Sequence, residues 1–189
     1  YGADALGFIF YAKSPRSVRP DAAREIIKNL PPFIMTVGVF VDEKIDVVRE
    51  ISETAGLDWV QLHGQESPEY CRALKRRVVK GFRIKDAHSL GLLPDYRESV
   101  RAFLLDTYKA GTAGGTGETF DWTLARQAGE LGPIILAGGL TPANVAQAIK
   151  VAQPAAVDVA SGVEAAPGKK DPEKLKRFIE IVKGFGGRG

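Results

Sequence analysis

Pro133-Ile134-Ile135-Leu136-Ala137-Gly138-Gly139 and Ala155-Ala156-Val157-Asp158-Val159-Ala160-Ser161-Gly162 are two short apolar runs that both stop at small residues. Runs of this length closed by glycine read as buried strands. Glycine, alanine and serine leave backbone N–H groups uncovered. Two such strand ends side by side form a cup of amide donors, which holds a phosphate without side-chain charge. In a β/α barrel the loops after the last two strands are where that phosphate is expected. The candidate phosphate-binding residues are therefore Gly138, Gly139, Ala160, Ser161 and Gly162.

Working outward from these runs, strand-like and helix-like segments alternate along the whole chain. Apolar or β-branched runs fall at 5–11, 34–41, 59–62, 78–84, 100–105, 134–137 and 156–159. Helical patterns lie between them at 20–30, 43–55, 67–76, 121–129, 142–151 and 171–182. The stretch between Ile84 and Val100 holds at most a turn or two of helix. Ser67-Pro68, Thr141-Pro142 and Asp171-Pro172 each set a capping side chain before a proline, so each reads as a helix start. Continuous apolar strands joined by helices mean a parallel sheet, either a (β/α)8 barrel or an open doubly wound sheet. The two phosphate-type strand ends favour the barrel. Seven strands are visible where a closed barrel has eight. Tyr1-Gly2-Ala3-Asp4-Ala5 reads as the end of a helix, its glycine turn and the next strand. The expectation is one TIM-barrel domain over 1–189 lacking its first βα unit.

Composition narrows the function classes. The 189 residues suffice for one domain with a real core, and 44% hydrophobic with 26% charged residues is ordinary for a globular protein. No apolar run approaches the ~20 residues of a membrane span. No basic stretch followed by an apolar core opens the chain, and a single cysteine excludes an internal disulfide. A cytoplasmic protein with no membrane partner is expected. The net charge of +3 comes from Lys and Arg spread along the chain, which suits a small anion better than a nucleic acid.

Few polar residues sit at the C-terminal strand ends, the barrel face where active sites are built. Asp106 directly follows Phe103-Leu104-Leu105; it is either held by local hydrogen bonds or poised as a general acid or base. His63 ends Trp59-Val60-Gln61-Leu62 and is either a satisfied loop residue or a ligand contact. Arg16, after the first strand, either faces solvent or clamps a carboxylate or phosphate. Asp158 alternates with apolar neighbours, so its side chain is expected to point inward, where it needs partners or a ligand. The glycine-rich stretch 110–118 is no Walker motif, because no Lys-Ser or Lys-Thr follows its glycines. It reads as a lid over a site or as a surface loop. Cys71, in a helical segment, reads as a packing residue. His88 has no metal-type neighbours, and no metal site is expected.

With these residues in place the chain resembles the phosphoribosylanthranilate isomerases. The resemblance rests on Gly2-Ala3-Asp4-Ala5-Leu6-Gly7-Phe8-Ile9-Phe10, Val37-Gly38-Val39-Phe40 and Val60-Gln61-Leu62-His63-Gly64. It continues through Leu104-Leu105-Asp106-Thr107, Gly115-Thr116-Gly117-Glu118-Thr119-Phe120-Asp121-Trp122 and Leu136-Ala137-Gly138-Gly139-Leu140-Thr141-Pro142-Ala143-Asn144-Val145. It ends with Val157-Asp158-Val159-Ala160-Ser161-Gly162-Val163-Glu164 and Pro167-Gly168-Lys169-Lys170-Asp171. Any one of these motifs occurs in many barrels; the ordered set spanning the chain is specific.

The resemblance implies a (β/α)8 enzyme of tryptophan biosynthesis. Its reaction is the Amadori rearrangement of N-(5′-phosphoribosyl)anthranilate to 1-(2-carboxyphenylamino)-1-deoxyribulose 5-phosphate, with no cofactor. It implies that Asp106 is the general acid, that Arg16 clamps the anthranilate carboxylate, and that His63 and Asp158 line the pocket. A monomer or homodimer is expected. The family's general base is a cysteine in a Lys-Ile-Cys-Gly-like first strand, a segment absent from these residues. The expectation is that it lies upstream of Tyr1. Two other readings compete: a sugar-phosphate-binding barrel without turnover, and another phosphate-sugar enzyme such as indole-glycerol-phosphate synthase. The synthase needs a strand-end Lys and Glu set that is not apparent. A ribulose-phosphate epimerase would need a metal-type histidine cluster.

Overall fold

The computed structural model describes residues 1–107 and 120–186. The elements run in the expected alternation. They begin with β1 (Ala5–Ile9), α1 (Pro20–Lys28), β2 (Met35–Phe40), α2 (Ile45–Ala55), β3 (Trp59–Leu62), α3 (Pro68–Ala73) and β4 (Arg77–Ile84). A 3-10 turn (Ala87–Leu92) then runs into α4 (Leu93–Tyr96), followed by β5 (Ala102–Thr107), α5 (Trp122–Ala128), β6 (Ile134–Leu136), α6 (Val145–Ala152) and β7 (Ala156–Val157). After a 3-10 turn (Ser161–Val163) come β8 (Glu164–Ala166), β9 (Lys169–Lys170) and α7 (Pro172–Gly186). The seven long-sheet strands lie in chain order, β1 to β7. The pairs β1–β2, β2–β3, β3–β4, β5–β6 and β6–β7 are parallel. The fold is therefore α/β with a parallel seven-stranded sheet. Among the described residues, no helix is long and apolar enough to cross a membrane.

The chain divides into two compact units. The first comprises Ala3–Gly81 and Asp95–Ala102. Its core gathers Phe8, Phe40, Val48, Val60, Leu62, Leu74 and Val78, with Phe10 stacked on Phe40 at 5.3 Å between ring centroids. The Ser67 hydroxyl accepts the Tyr70 N–H, so α3 begins where a Ser-Pro cap predicts. Gly56 in the left-handed region ends α2.

The second unit comprises Tyr1–Gly2, Phe82–Pro94 and Phe103–Gly189. Phe103, Leu104, Leu105, Leu136 and Leu140 are fully buried within it. Asp171 caps α7 by accepting the N–H groups of Glu173 and Lys174.

Two readings of the sequence need correction here. The helix expected from Pro142 begins only at Val145. The Asn144 side chain folds back, accepting the Thr141 N–H at 2.8 Å and donating to the Gly139 carbonyl at 2.9 Å. Those bonds tie 142–144 into a turn, and the helix follows from Val145, whose N–H donates to the Thr141 carbonyl at 3.0 Å. The second correction is β8 and β9, an antiparallel pair that an alternating βα pattern does not announce. Its one signal is Pro167-Gly168, with Gly168 at φ +78°.

Candidate active site

In the second unit, β5 delivers Asp106 as its penultimate residue, half-buried. Its Oδ1 accepts the Thr107 N–H at 2.8 Å. The chain leaving β6 passes hard against this carboxylate. A Cβ at Gly138 would stand 2.6 Å from Asp106 Oδ1 and still closer to the Thr107 backbone nitrogen. Gly138 and Gly139 also take φ of +82° and +65°, a region that side chains with a Cβ rarely enter. Close approach and backbone conformation both require the first glycine. Among the described residues, neither the Gly138 nor the Gly139 N–H is taken up by a backbone carbonyl.

The turn after β7 meets the turn after β6. A Cβ at Gly162 would overlap the Leu140 carbonyl oxygen and lie 3.2 Å from Thr141 Cγ2. The Ala160 carbonyl is drawn to Lys170 Nζ at 2.8 Å. Of the expected residues, Gly138 touches Asp106 directly; Gly138 and Gly139 lie on the turn after β6, Ser161 and Gly162 on the turn that abuts it, and Ala160 leads into the second. A groove of about 810 Å3 is lined by Thr141, Gly162, Lys174 and Arg177 among others; Asp106 and Gly138 take no part in it. Asp158 departs from expectation. It follows β7 and is exposed where burial was expected, although its N–H still donates to the Leu136 carbonyl at 2.8 Å; alternation names a face and not what packs over it. The stretch 110–118 lies outside the described residues.

In the first unit, Arg16 sits half-buried in the loop after β1. That loop is tied back to the strand: Ile9 bridges Ser17, and the Val18 N–H donates to the Ile9 carbonyl at 2.9 Å. The Arg16 N–H donates to Ser14 Oγ at 3.2 Å. His63 follows β3 directly, its N–H donating to the Phe40 carbonyl at 2.9 Å. Its Nδ1 lies 3.2 Å from Gln61 Nε2.

Beneath His63 lies a group that sequence reasoning missed. Lys80 and Glu66 are 2% and 5% exposed and form an ion pair at 3.3 Å. Removing one partner of such a pair strands a buried charge and costs about 3–5 kcal/mol. The available signal was a lysine inside the apolar run Val78-Val79-Lys80-Gly81-Phe82.

Cys71 is 1% exposed in α3, and burial pushes its thiol up from 9.0 to about 11. It is a packing residue, as its helical setting suggested. Thiolate is the reactive form, so alkylation by iodoacetamide at pH 8 should run about a hundredfold slower in the native protein than in denaturant. Mass spectrometry of timed samples checks this. The unfolded state loses the thiol proton near 9.0 and the folded state near 11. Across that window the folded state binds more protons, so stability falls as pH rises. Cys71→Ala should flatten the fall in urea-unfolding free energy between those pH values.

Comparison with known proteins follows the same residues. The family model for N-(5′-phosphoribosyl)anthranilate (PRA) isomerase matches residues 1–181. An N-(5′-phosphoribosyl)anthranilate isomerase of Geobacter sp. (strain M21) is 56% identical over 182 residues, 96% of this chain and 88% of the relative. The crystal structure of the Thermotoga maritima phosphoribosyl anthranilate isomerase superposes with a TM-score of 0.91 at 44% identity, covering 97% of this chain and 89% of that one. A second solved isomerase is 42% identical with a TM-score of 0.87 over the same shares of the two chains. That structure holds reduced 1-(o-carboxyphenylamino)-1-deoxyribulose 5-phosphate. The chain belongs to the N-(5′-phosphoribosyl)anthranilate isomerase family.

Proposed function

We propose that this chain catalyses the isomerisation of N-(5′-phosphoribosyl)anthranilate in tryptophan biosynthesis, as a single (β/α)8 barrel domain in the cytoplasm. The observation that carries the reading is the Asp106 carboxylate packed against the Gly138 turn. It sets a proton donor beside a run of backbone amides, as a substrate with a phosphate at one end and an acid-labile ring at the other requires.

Asp106 donates a proton to the ribose ring oxygen while the anthranilate nitrogen pushes its electron pair toward C1′. The C1′–O bond breaks and a protonated Schiff base forms. Loss of the C2′ proton gives the enol, and its tautomerisation gives the ketone. C1′ is reduced and C2′ oxidised within one molecule, so the electron accounting closes with acid–base groups alone. The amides of Gly138, Gly139, Ala160, Ser161 and Gly162 hold the phosphate. Arg16 pairs with the anthranilate carboxylate in a two-pronged, charge-assisted contact. His63 and Asp158 bind the substrate. The C2′ proton needs a base, a role the family resemblance gives to a cysteine in a Lys-Ile-Cys-Gly-like segment that these residues do not contain. Cys71 is not that residue, since its buried thiol holds its proton to about 11.

The test is direct. The protein, supplied with N-(5′-phosphoribosyl)anthranilate, should consume it with saturation kinetics. Binding of the reduced product analogue with no turnover would favour a sugar-phosphate-binding barrel and overturn the proposal. Arg16→Ala should raise KM about tenfold or more, the effect of losing a charge-assisted carboxylate contact worth about 1.5–3 kcal/mol. Unchanged KM would remove Arg16 from the site.

A further inference from the structure

Lys80 is a charge inside an apolar strand, between Val79 at 4% exposure and Phe82 at 9%. Its ammonium donates to the Leu62 carbonyl at 3.4 Å and to the Gly64 carbonyl at 2.8 Å. These are the two residues on either side of His63. A third donation goes to the Gly81 carbonyl at 3.1 Å. Glu66, its ion-pair partner, holds the same turn from its amide side: Oε2 accepts the Gly64 N–H at 3.0 Å and Oε1 the Asp42 N–H at 2.8 Å. Tyr96 closes the network by donating its hydroxyl to the Glu66 carbonyl at 2.9 Å. The imidazole itself lies over Gly81, where a Cβ would stand 2.7 Å from Nδ1 and 3.0 Å from Cγ.

A buried ion pair is poor evidence of stabilisation, because two well-packed apolar side chains often serve a core as well or better. What an apolar pair cannot do is answer the carbonyls and amides of a turn that has left the sheet. An ammonium with three donors and a carboxylate with two acceptor oxygens answer both. The bonds they make bracket one residue. We infer that Lys80, Glu66 and Gly81 are positioning residues that set the place and orientation of the His63 imidazole at the end of β3. This inference rests on the reading of His63 as a substrate contact. It adds that the strength of that contact is set by a charge pair buried in the neighbouring strand.

The protein has two histidines, His63 and His88, so their ring resonances are readily told apart by NMR. Lys80→Met and Gly81→Ala should each shift or broaden the His63 ring signals and leave those of His88 in place. Each should lower kcat/KM about tenfold, mostly through KM, as expected when ground-state and transition-state binding are lost together. In a His63→Ala background the same replacements should change kcat/KM by less than about twofold, because a residue acting through another has nothing left to act on. If Lys80→Met does not fold, Gly81→Ala carries the test, since it presses on the ring and keeps the ion pair. Unmoved His63 signals, or equal losses in both backgrounds, overturn the positioning role. Full turnover and unchanged KM in His63→Ala alone overturn the reading of His63 beneath it, whatever the ring signals do, so the two failures are distinguishable.

Discussion

Asp106→Asn is expected to lower kcat by about a hundredfold to ten-thousandfold, the range a positioned general acid contributes. The replacement is nearly isosteric, and an asparagine Oδ1 can still accept the Thr107 N–H that now holds the carboxylate at 2.8 Å. The Gly138 turn keeps its close neighbour of the same size. What disappears is the ability to deliver a proton to the ribose ring oxygen, so ring opening stalls. Binding should survive, because the phosphate and carboxylate contacts lie elsewhere. Isothermal titration with the reduced product analogue should give a Kd within about threefold of the unsubstituted protein, well under the 1.4 kcal/mol that a tenfold change represents. Full turnover in the folded variant would overturn the acid assignment. Loss of binding along with turnover would mean that Asp106 holds the ligand.

Gly162→Ala is expected to separate the two turns that form the amide cup. Its new methyl group would occupy the space of the Leu140 carbonyl oxygen. Backbone cannot rotate aside as a side chain can, so one turn must move, at about 1–3 kcal/mol of overpacking. Each amide bond to a phosphate contributes about 1.5–3 kcal/mol. Displacing one or two of them should raise KM and the analogue Kd about ten- to a hundredfold. kcat should stay within about threefold, since Asp106 is held by its own strand and by Gly138. Inorganic phosphate should lose its protective effect on the melting temperature in step, because protection follows affinity. A folded variant with unchanged KM would remove this turn from the phosphate site.

How far the residues alone carried the reading differs from element to element. Strands β3 and β4 and helices α1 and α3 were legible because apolar runs, Ser-Pro caps and glycine stops act within a few residues of one another. Asp106 was legible for the same reason: a carboxylate closing Phe103-Leu104-Leu105 marks the end of a buried apolar run. The start of α6 was not legible. Thr141-Pro142 carries a good local signal, yet the Asn144 side chain bonds back to Gly139 and Thr141 and holds 142–144 as a turn. Asp158 was expected to be buried and is exposed, because alternation names the face a residue takes and not what packs over that face.

Chain order and local chemistry were thus enough for the α/β architecture and for the place of Asp106 near the end of β5. Tertiary contact alone revealed which glycines are required and why. The crowding of Gly138 by Asp106, of Gly162 by the Leu140 carbonyl and of Gly81 by His63 joins residues far apart in sequence. Lys80 and Glu66 make the same point. The apolar run around Lys80 hints at its burial, but only the fold brings Glu66 to it and sets their donors and acceptors around His63. Burial and close approach belong to the packed chain, and no short window of sequence contains them.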